Sequence, residues 1–350
     1  MFRIVKFSSL FLAMICGFVS AAQAATFNYF TSPPSTMPQG TIGFTYAGNK
    51  FVGTVLQNGL GSLYETDLAG NNAQAFAPSV SLTSGNVEHY VAASFAVGGF
   101  IGGEVYAADG TNIVKIANNG LTSSTFVSGL TGDVRGITFD LNGAFGNNML
   151  VTTSAGKVYS VSSGGSVSTL ATFAGNPNVE GLDISPSSFG GFGNQLIVAD
   201  DATGILRAVK PNGVVQTLPF TVPSAEELTF VPLSLAPGNN TLVGLYGANY
   251  TPNILKANGS DFLGMQGDLI VTGETTSQVS RVHWNGSSFV SSNIGSFTNQ
   301  PEDGVFVTQE MVNLSTPEPS TLVLGGLGLI GLLAAARRRR VATQSIKANV

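Results

Sequence analysis

Four stretches of this chain repeat one another at a nearly constant interval. Val105-Tyr106-Ala107-Ala108-Asp109 leads through a short turn to Asn112-Ile113-Val114-Lys115-Ile116 and then to Asn119-Gly120. The same order of apolar run, turn, apolar run and glycine turn begins again at Leu150, Leu196 and, more loosely, Leu242, at spacings of 45, 46 and 46 residues. Another copy starts at Leu269 and a looser one at Phe51, which makes six hairpins. The runs are rich in β-branched residues and bounded by Gly and Asn, and no long helical periodicity lies between the two ends of the chain. This reads as all-β. A unit of this size cannot bury its own apolar faces, so neighbouring units must stack. A period of about 40–50 residues with four strands per period is the mark of a β-propeller.

A second element repeats ahead of the hairpins. Asn86-Val87-Glu88-His89, Asp133-Val134-Arg135-Gly136, Asn178-Val179-Glu180-Gly181 and Ser224-Ala225-Glu226-Glu227 each open an alternating strand. Pro301-Glu302-Asp303-Gly304 does the same before Val305-Phe306-Val307, but no hairpin follows it. Six hairpins predict six blades over residues 40–308, with five as the alternative. Residues 25–39 and 309–319 read as linkers. Circular closure is expected, with residues 301–308 supplying the strand missing from residues 49–82 and with 305–307 pairing near 51–56. Residues 224–297 hold two hairpins but one leading strand. Either a blade is contracted there or residues 232–261 are an insertion. The pattern resembles the six-bladed superfamily that includes gluconolactonase/senescence-marker and NHL-repeat proteins, over most of residues 40–308.

In a propeller the leading strands line the central channel, so equivalent positions form a ring. Glu88, Glu180 and Glu226 are equivalent, with Arg135 at a fourth position and either Glu302 or Asp303 at a fifth. A ring of carboxylates can hold Ca²⁺ or Mg²⁺. The resemblance implies a further role. In gluconolactonase-like enzymes a glutamate entering an inner strand binds a metal that polarises a lactone carbonyl, and Glu88, Glu180 or Glu226 matches that place. The structural reading stands beside it: a glutamate at a strand start can accept backbone hydrogen bonds in every blade. Asp109, Asp200 and Asp201 end first strands and read as turn caps. His89 and His283 are the only histidines, too few for an ordinary zinc site without cysteine. Trp284 reads as packed between blades. There is neither a Gly-x-Ser-x-Gly elbow nor a phosphate loop.

Both ends of the chain point to export. Arg3 and Lys6, the apolar run Leu10 to Val19 and the small residues Ala22-Gln23-Ala24 have the form of a secretory signal peptide over residues 1–24, cleaved before Ala25. At the other end, Thr316-Pro317-Glu318-Pro319 precedes an apolar run, Thr321 to Ala336, and then Arg337, Arg338, Arg339 and Arg340. The apolar run falls just short of a full membrane span, residues 320–340 read as a transmembrane sorting segment with the arginines on the cytoplasmic side, and residues 341–350 follow as a tail. This order resembles the PEP-CTERM sorting signal of Gram-negative bacteria. The resemblance implies transient anchoring in the inner membrane, recognition by an exosortase-type peptidase, removal of the tail and delivery to the cell surface or extracellular matrix. Such signals tend to accompany exopolysaccharide production, which makes extracellular polysaccharide the expected partner.

Processing changes the charge. Seven of the 15 Lys and Arg lie in the removed segments, which leaves eight against 20 acids, a net of −12. A chain of that charge is a poor partner for nucleic acid. The only cysteine, Cys16, leaves with the signal peptide, so the mature fold depends on packing without disulfides. The expected function is therefore binding or structural, with a metal-dependent lactonase-like hydrolase as the alternative. Intact-mass measurement of protein recovered from its host should show a chain that starts at Ala25 and lacks Arg337–Arg340. Secreted protein that retained the arginines would overturn the processing.

Overall fold

The computed structural model describes residues 24–83, 85, 88–175, 177–238 and 240–315. The expected signal peptide, Ala22 included, and the sorting motif from Pro317 to Arg340 lie outside the described residues, although Ala24 lies within them. The described chain forms six four-stranded antiparallel sheets. Their innermost strands are Thr41–Tyr46, Val91–Ala93, Val134–Phe139, Val179–Ile184, Ala225–Phe230 and Pro301–Val307. Each contacts its two neighbours, and the last contacts the first, so the sheets close into a six-bladed propeller.

Blades 2, 3 and 4 are built as the repeats predict. Blade 4 runs outward from Val179–Ile184 through Leu196–Asp200 and Ile205–Val209 to Val215–Thr221. Its hairpin register pairs Leu196 with Val209 and Asp200 with Ile205. Leu196–Asp200 is buried at every position because a neighbouring blade covers each face of its sheet. Val215–Thr221 lies at the rim, where only Leu218 is buried. The apolar side chains meet between blades. Tyr106, Phe139, Met149 and Val161 pack between blades 2 and 3, and Phe189, Leu206, Leu228 and Val282 between blades 4 and 5. Each such side chain contributes about 1.5–3 kcal/mol on burial.

Closure differs from the sequence expectation. Residues 301–308 do not pair near 51–56. Blade 1 has its own inner strand, Thr41–Tyr46, which pairs with Phe51–Val55. Pro301–Val307 pairs instead with Gly244–Asn249. That strand belongs to a hairpin with Asn253–Asn258, and Asn28–Thr31 adds to its outer edge. The sixth blade is therefore assembled from three separated segments. Its hairpin is an insertion between Ala225–Phe230 and Leu269–Gly273, the first two strands of blade 5. This accounts for the two hairpins and single leading strand of residues 224–297. Residues 25–39, read as a linker, contribute a strand to the closing sheet. Phe30 from that segment meets Phe44, Phe51 and Tyr246 edge-on, which ties the N-terminus to blades 1 and 6. Residues 309–315, also read as linker, form a helix, Gln309–Ser315.

The inner strands approach one another very closely. A Cβ on Gly181 would lie 2.1 Å from the carbonyl oxygen of Glu226, and one on Gly136 would lie 2.5 Å from that of Glu180. Both distances are far inside contact, so the glycine after the leading Glu or Arg is a steric requirement of the ring. Deleting residues 301–315 should cost about 3–6 kcal/mol, since it exposes the buried Phe306 and Val307 and opens the ring. Deleting 309–315 alone should cost less. Urea unfolding of both variants measures this, and equal small losses would mean that the last strand does not close the fold.

Candidate functional site

The leading strands of blades 1, 3, 4, 5 and 6 begin alike. The first pairs are Thr41 with Val55, Val134 with Thr153, Val179 with Asp200, Ala225 with Gly273 and Asn249 with Pro301, each followed by an irregularity in the register. The next residue in each strand is Ile42, Arg135, Glu180, Glu226 or Glu302. Glu88, just ahead of Val91–Ala93, reaches the same mouth, where it pairs with Arg135. Blade geometry thus puts five ionisable side chains and one isoleucine at one mouth of the channel. A bulge re-aims a side chain, and here it turns Glu302 toward the other glutamates.

Arg135 holds part of the ring together. Its Nη1 forms ion pairs with Glu88 and, at 3.4 Å, with Oε1 of Glu180. The Tyr90 hydroxyl donates to Oε2 of Glu180 at 3.0 Å, and Asn178 Nδ2 donates to its Oε1 at 2.5 Å. Burial works against the charge on Arg135, but Tyr90, Glu180 and Glu88 outweigh it and hold the guanidinium above its ordinary pKa. Burial, and then Glu180, also raises the Tyr90 phenol well above its usual value, so it remains a donor.

Among the described residues, the other side of the mouth has no such cation. Glu226 is 2% exposed and its Oε2 meets no donor. Burial raises its pKa well above the usual carboxylate range, helped by the Glu180 charge and a hydrogen bond shared with Glu180, then by Glu302 and Asp201. Glu302 is pushed up to about 9, first by burial and then by Glu88, Glu274 and Glu180. Glu274 rises to about 7 through burial and Asp201. Gln300 Nε2 links these last two, donating to Glu274 at 2.6 Å and Glu302 at 2.8 Å. One oxygen each of Asp201, Glu226 and Glu274 lies within 4.8 Å of the others. Carboxylates this close and this dry retain protons unless a cation takes their place.

Comparison with known proteins addresses the tail more directly than the mouth. Residues 315–340 match the PEP-CTERM protein-sorting motif. The tail is a PEP-CTERM sorting signal. No curated protein matches the chain in sequence. Among solved structures, a nidogen/laminin complex aligns at 15% identity over 76% of this chain and 84% of that one, with a TM-score of 0.50. A virginiamycin B lyase from Staphylococcus aureus, solved with quinupristin, aligns at 11% identity over 79% and 76%, TM-score 0.49. A streptogramin B lyase aligns at 12% over 81% and 94%, TM-score 0.46. At these identities the likeness is one of fold alone.

The PEP-CTERM signal implies export to the cell envelope or surface and marks the chain as a substrate for exosortase-type processing. It begins at Ser315, the last residue of the helix that follows the final inner strand. Among the described residues no helix is long and apolar enough to cross a membrane.

The residues anticipated from sequence divide at the mouth. Glu88 and Glu180 meet through Arg135, whereas Glu226 faces Asp201 and Glu274. Asp201 is a member of this second group, not simply a turn cap, while Asp200 accepts from Thr203 at 2.7 Å and pairs with Arg207 at 3.2 Å. Glu274 and Tyr90 had no repeat signal to mark them. Glu274 follows the second strand of blade 5, and only the fold brings that turn to the channel. Buried His89 bonds Ala108 and Asn58 within the packing, whereas His283 pairs with Asp268 at 2.7 Å in another blade. Trp284 packs against Phe289 and the backbone of Gly190.

Removing the guanidinium should expose the repulsion it offsets. Arg135→Ala should lose about 3 kcal/mol, the low end for one partner of a buried pair, because the Glu88 side chain keeps 32% of its exposure. Urea midpoints in EDTA measure this. An unchanged midpoint would mean that Arg135 does not hold the acids.

Proposed function

We propose that this protein is an exported, non-enzymatic β-propeller that acts as a binding module at the cell surface or in the extracellular matrix of a Gram-negative bacterium. Its acidic channel mouth binds a divalent cation, and the cation bridges to extracellular polysaccharide. The observation that carries this reading is the buried Glu226 Oε2, which meets no donor beside Asp201 and Glu274. The sorting signal supports the location, since it directs the chain to a compartment where divalent cations and polysaccharide meet.

Asp201, Glu226 and Glu274 would supply the protein ligands. An all-oxygen donor set of this kind suits Ca²⁺ better than a transition metal. Open positions on such an ion accept sugar hydroxyls or uronate carboxylates. Arg135 pairs with Glu88 and Glu180 and offsets one of their two charges, whereas no such cation faces Glu226 among the described residues.

A lactonase-like hydrolase is the second reading. It is favoured by Glu274, whose pKa near 7 suits a general base beside a metal. The binding reading is preferred because Arg135 and its partners fill part of the same mouth.

Proton and metal compete for these carboxylates, which fixes the sign of the pH dependence. Glu274 and Glu302 bind protons more tightly folded, near pH 7 and 9, than at their ordinary value of 4.5. Without cation, stability should fall as pH rises from about 4.5 toward 9. Added Ca²⁺ should raise the melting temperature at pH 8 and have little effect at pH 5, since it binds only the folded, deprotonated mouth. Glu226→Gln should abolish the calcium shift and itself raise the EDTA melting temperature at pH 8. No calcium shift at pH 8 would overturn the reading, and hydrolysis of a simple lactone that depended on calcium would favour the enzyme.

A further inference from the structure

A second group of carboxylates faces a cavity away from the ring just described. This cavity has a volume of about 480 Å³ and is lined by the later residues of the inner strands and by the start of the helix Gln309–Ser315. Its wall is about half apolar, with Phe95, Phe139, Phe230 and Phe306 among the lining side chains. Asp183, Glu227 and Asp303 also line it, and Glu310 stands at its edge, while no Lys, Arg or His does so among the described residues.

The repeat shows that two of these acids are departures from the structural pattern. The residue after the ring position is Gly43, Gly136 or Gly181 in blades 1, 3 and 4. A Cβ there would meet neighbouring atoms at 2.9, 2.5 and 2.1 Å. In the adjacent blades 5 and 6 the same position is Glu227 and Asp303. Both replace a residue that packing elsewhere holds to glycine, and they do so side by side. Glu227 is 5% exposed, and its Oε2 meets no donor. Asp303 is pushed to about 7, chiefly by burial and against a bond from the Gly304 amide. Asp183 differs, since it accepts from the amides of Phe230 at 2.8 Å and Ile184 at 2.7 Å and has a structural role.

We infer that this cavity binds a small organic ammonium ion carried on an apolar body, with Glu227 and Asp303 as its anionic seat. An unpaired buried carboxylate requires a donor, and in a cavity without basic side chains the donor must come from the ligand. A bare metal ion fits less well. Among the described residues, only Asp201, Glu226 and Glu274 bring three such ligand atoms within 4.8 Å, so the cavity acids do not form a comparable shell. The aromatic faces suit the rest of such a ligand, since they attract both a cation and an apolar group. The volume falls within the range of about 300–1,000 Å³ usual for small-molecule sites. The site is separate from the calcium reading and does not depend on it.

Titration calorimetry of the full chain in detergent, with benzylamine and its neutral counterpart benzyl alcohol, tests this. Benzylamine should bind about tenfold more tightly than the alcohol, a difference of about 1.4 kcal/mol. Glu227→Gln should lower benzylamine affinity about tenfold while leaving that of the alcohol unchanged, and it also controls for partition into detergent. The substitution replaces a buried, unpartnered carboxyl with an amide of nearly the same shape, so the variant should melt no lower than the parent. Asp303→Asn provides an independent second variant with the same expected loss. Saturating Ca²⁺ should leave benzylamine binding in place, which separates this site from the acidic mouth. Equal binding of amine and alcohol, or full amine affinity in both variants, would overturn the inference.

Discussion

The close approach of six inner strands around one axis is the constraint on which the molecule depends. Gly136 and Gly181 permit it, because a methyl group at either position would collide with the backbone of the next blade. Once the strands are that close, each sheet must be covered on both faces, and the second strand of a blade becomes wholly buried. The same approach makes closure necessary, since an open ring would leave an inner strand and its apolar neighbours at an unpaired edge. The chain meets this need in an unusual order. It inserts the hairpin Gly244–Asn258 inside blade 5 and encloses it with strands from near both ends, so the last blade forms only when three distant segments have met.

Closure has an electrostatic consequence. Equivalent strand positions converge at a channel mouth, and in this chain four of the six carry glutamate. Like charges brought together in a dry place must be neutralised, keep their protons or attract a cation. Two of these modes are visible in this mouth. Arg135 pairs with Glu88 and Glu180 and offsets one of their two charges. Glu302 keeps its proton with a pKa near 9. Glu226 is left with a carboxylate oxygen that meets no donor. The mouth is therefore asymmetric around the ring, although the repeat that built it is regular.

The PEP-CTERM signal follows the last inner strand with only the short helix between them. That helix contributes Glu310 and Met311 to the lining of the cavity. The segment that directs sorting is thus joined to the element that closes the ring, and the final blade cannot be completed until the chain has been made almost to the sorting signal.

Much of this protein was legible in its sequence. Six hairpins, four of them starting 45 or 46 residues apart, predict six stacked units, since a repeat must satisfy the same packing in every copy. The sorting tail is legible because its message lies in linear order. Glu88, Glu180 and Glu226 could be placed together because equivalent positions in a ring share an axis. Tertiary structure decided the rest. Which of Glu302 and Asp303 joins the ring depends on a register irregularity that reverses side-chain direction and leaves no mark in composition. Asp201 and Glu274 reach the mouth from turns that have no repeated signal. The partner of the last strand lay in an inserted hairpin, where chain order and spatial order part. Repetition constrains local structure strongly because it recurs, whereas closure and charge balance occur once in the molecule and depend on contacts among segments far apart in the chain.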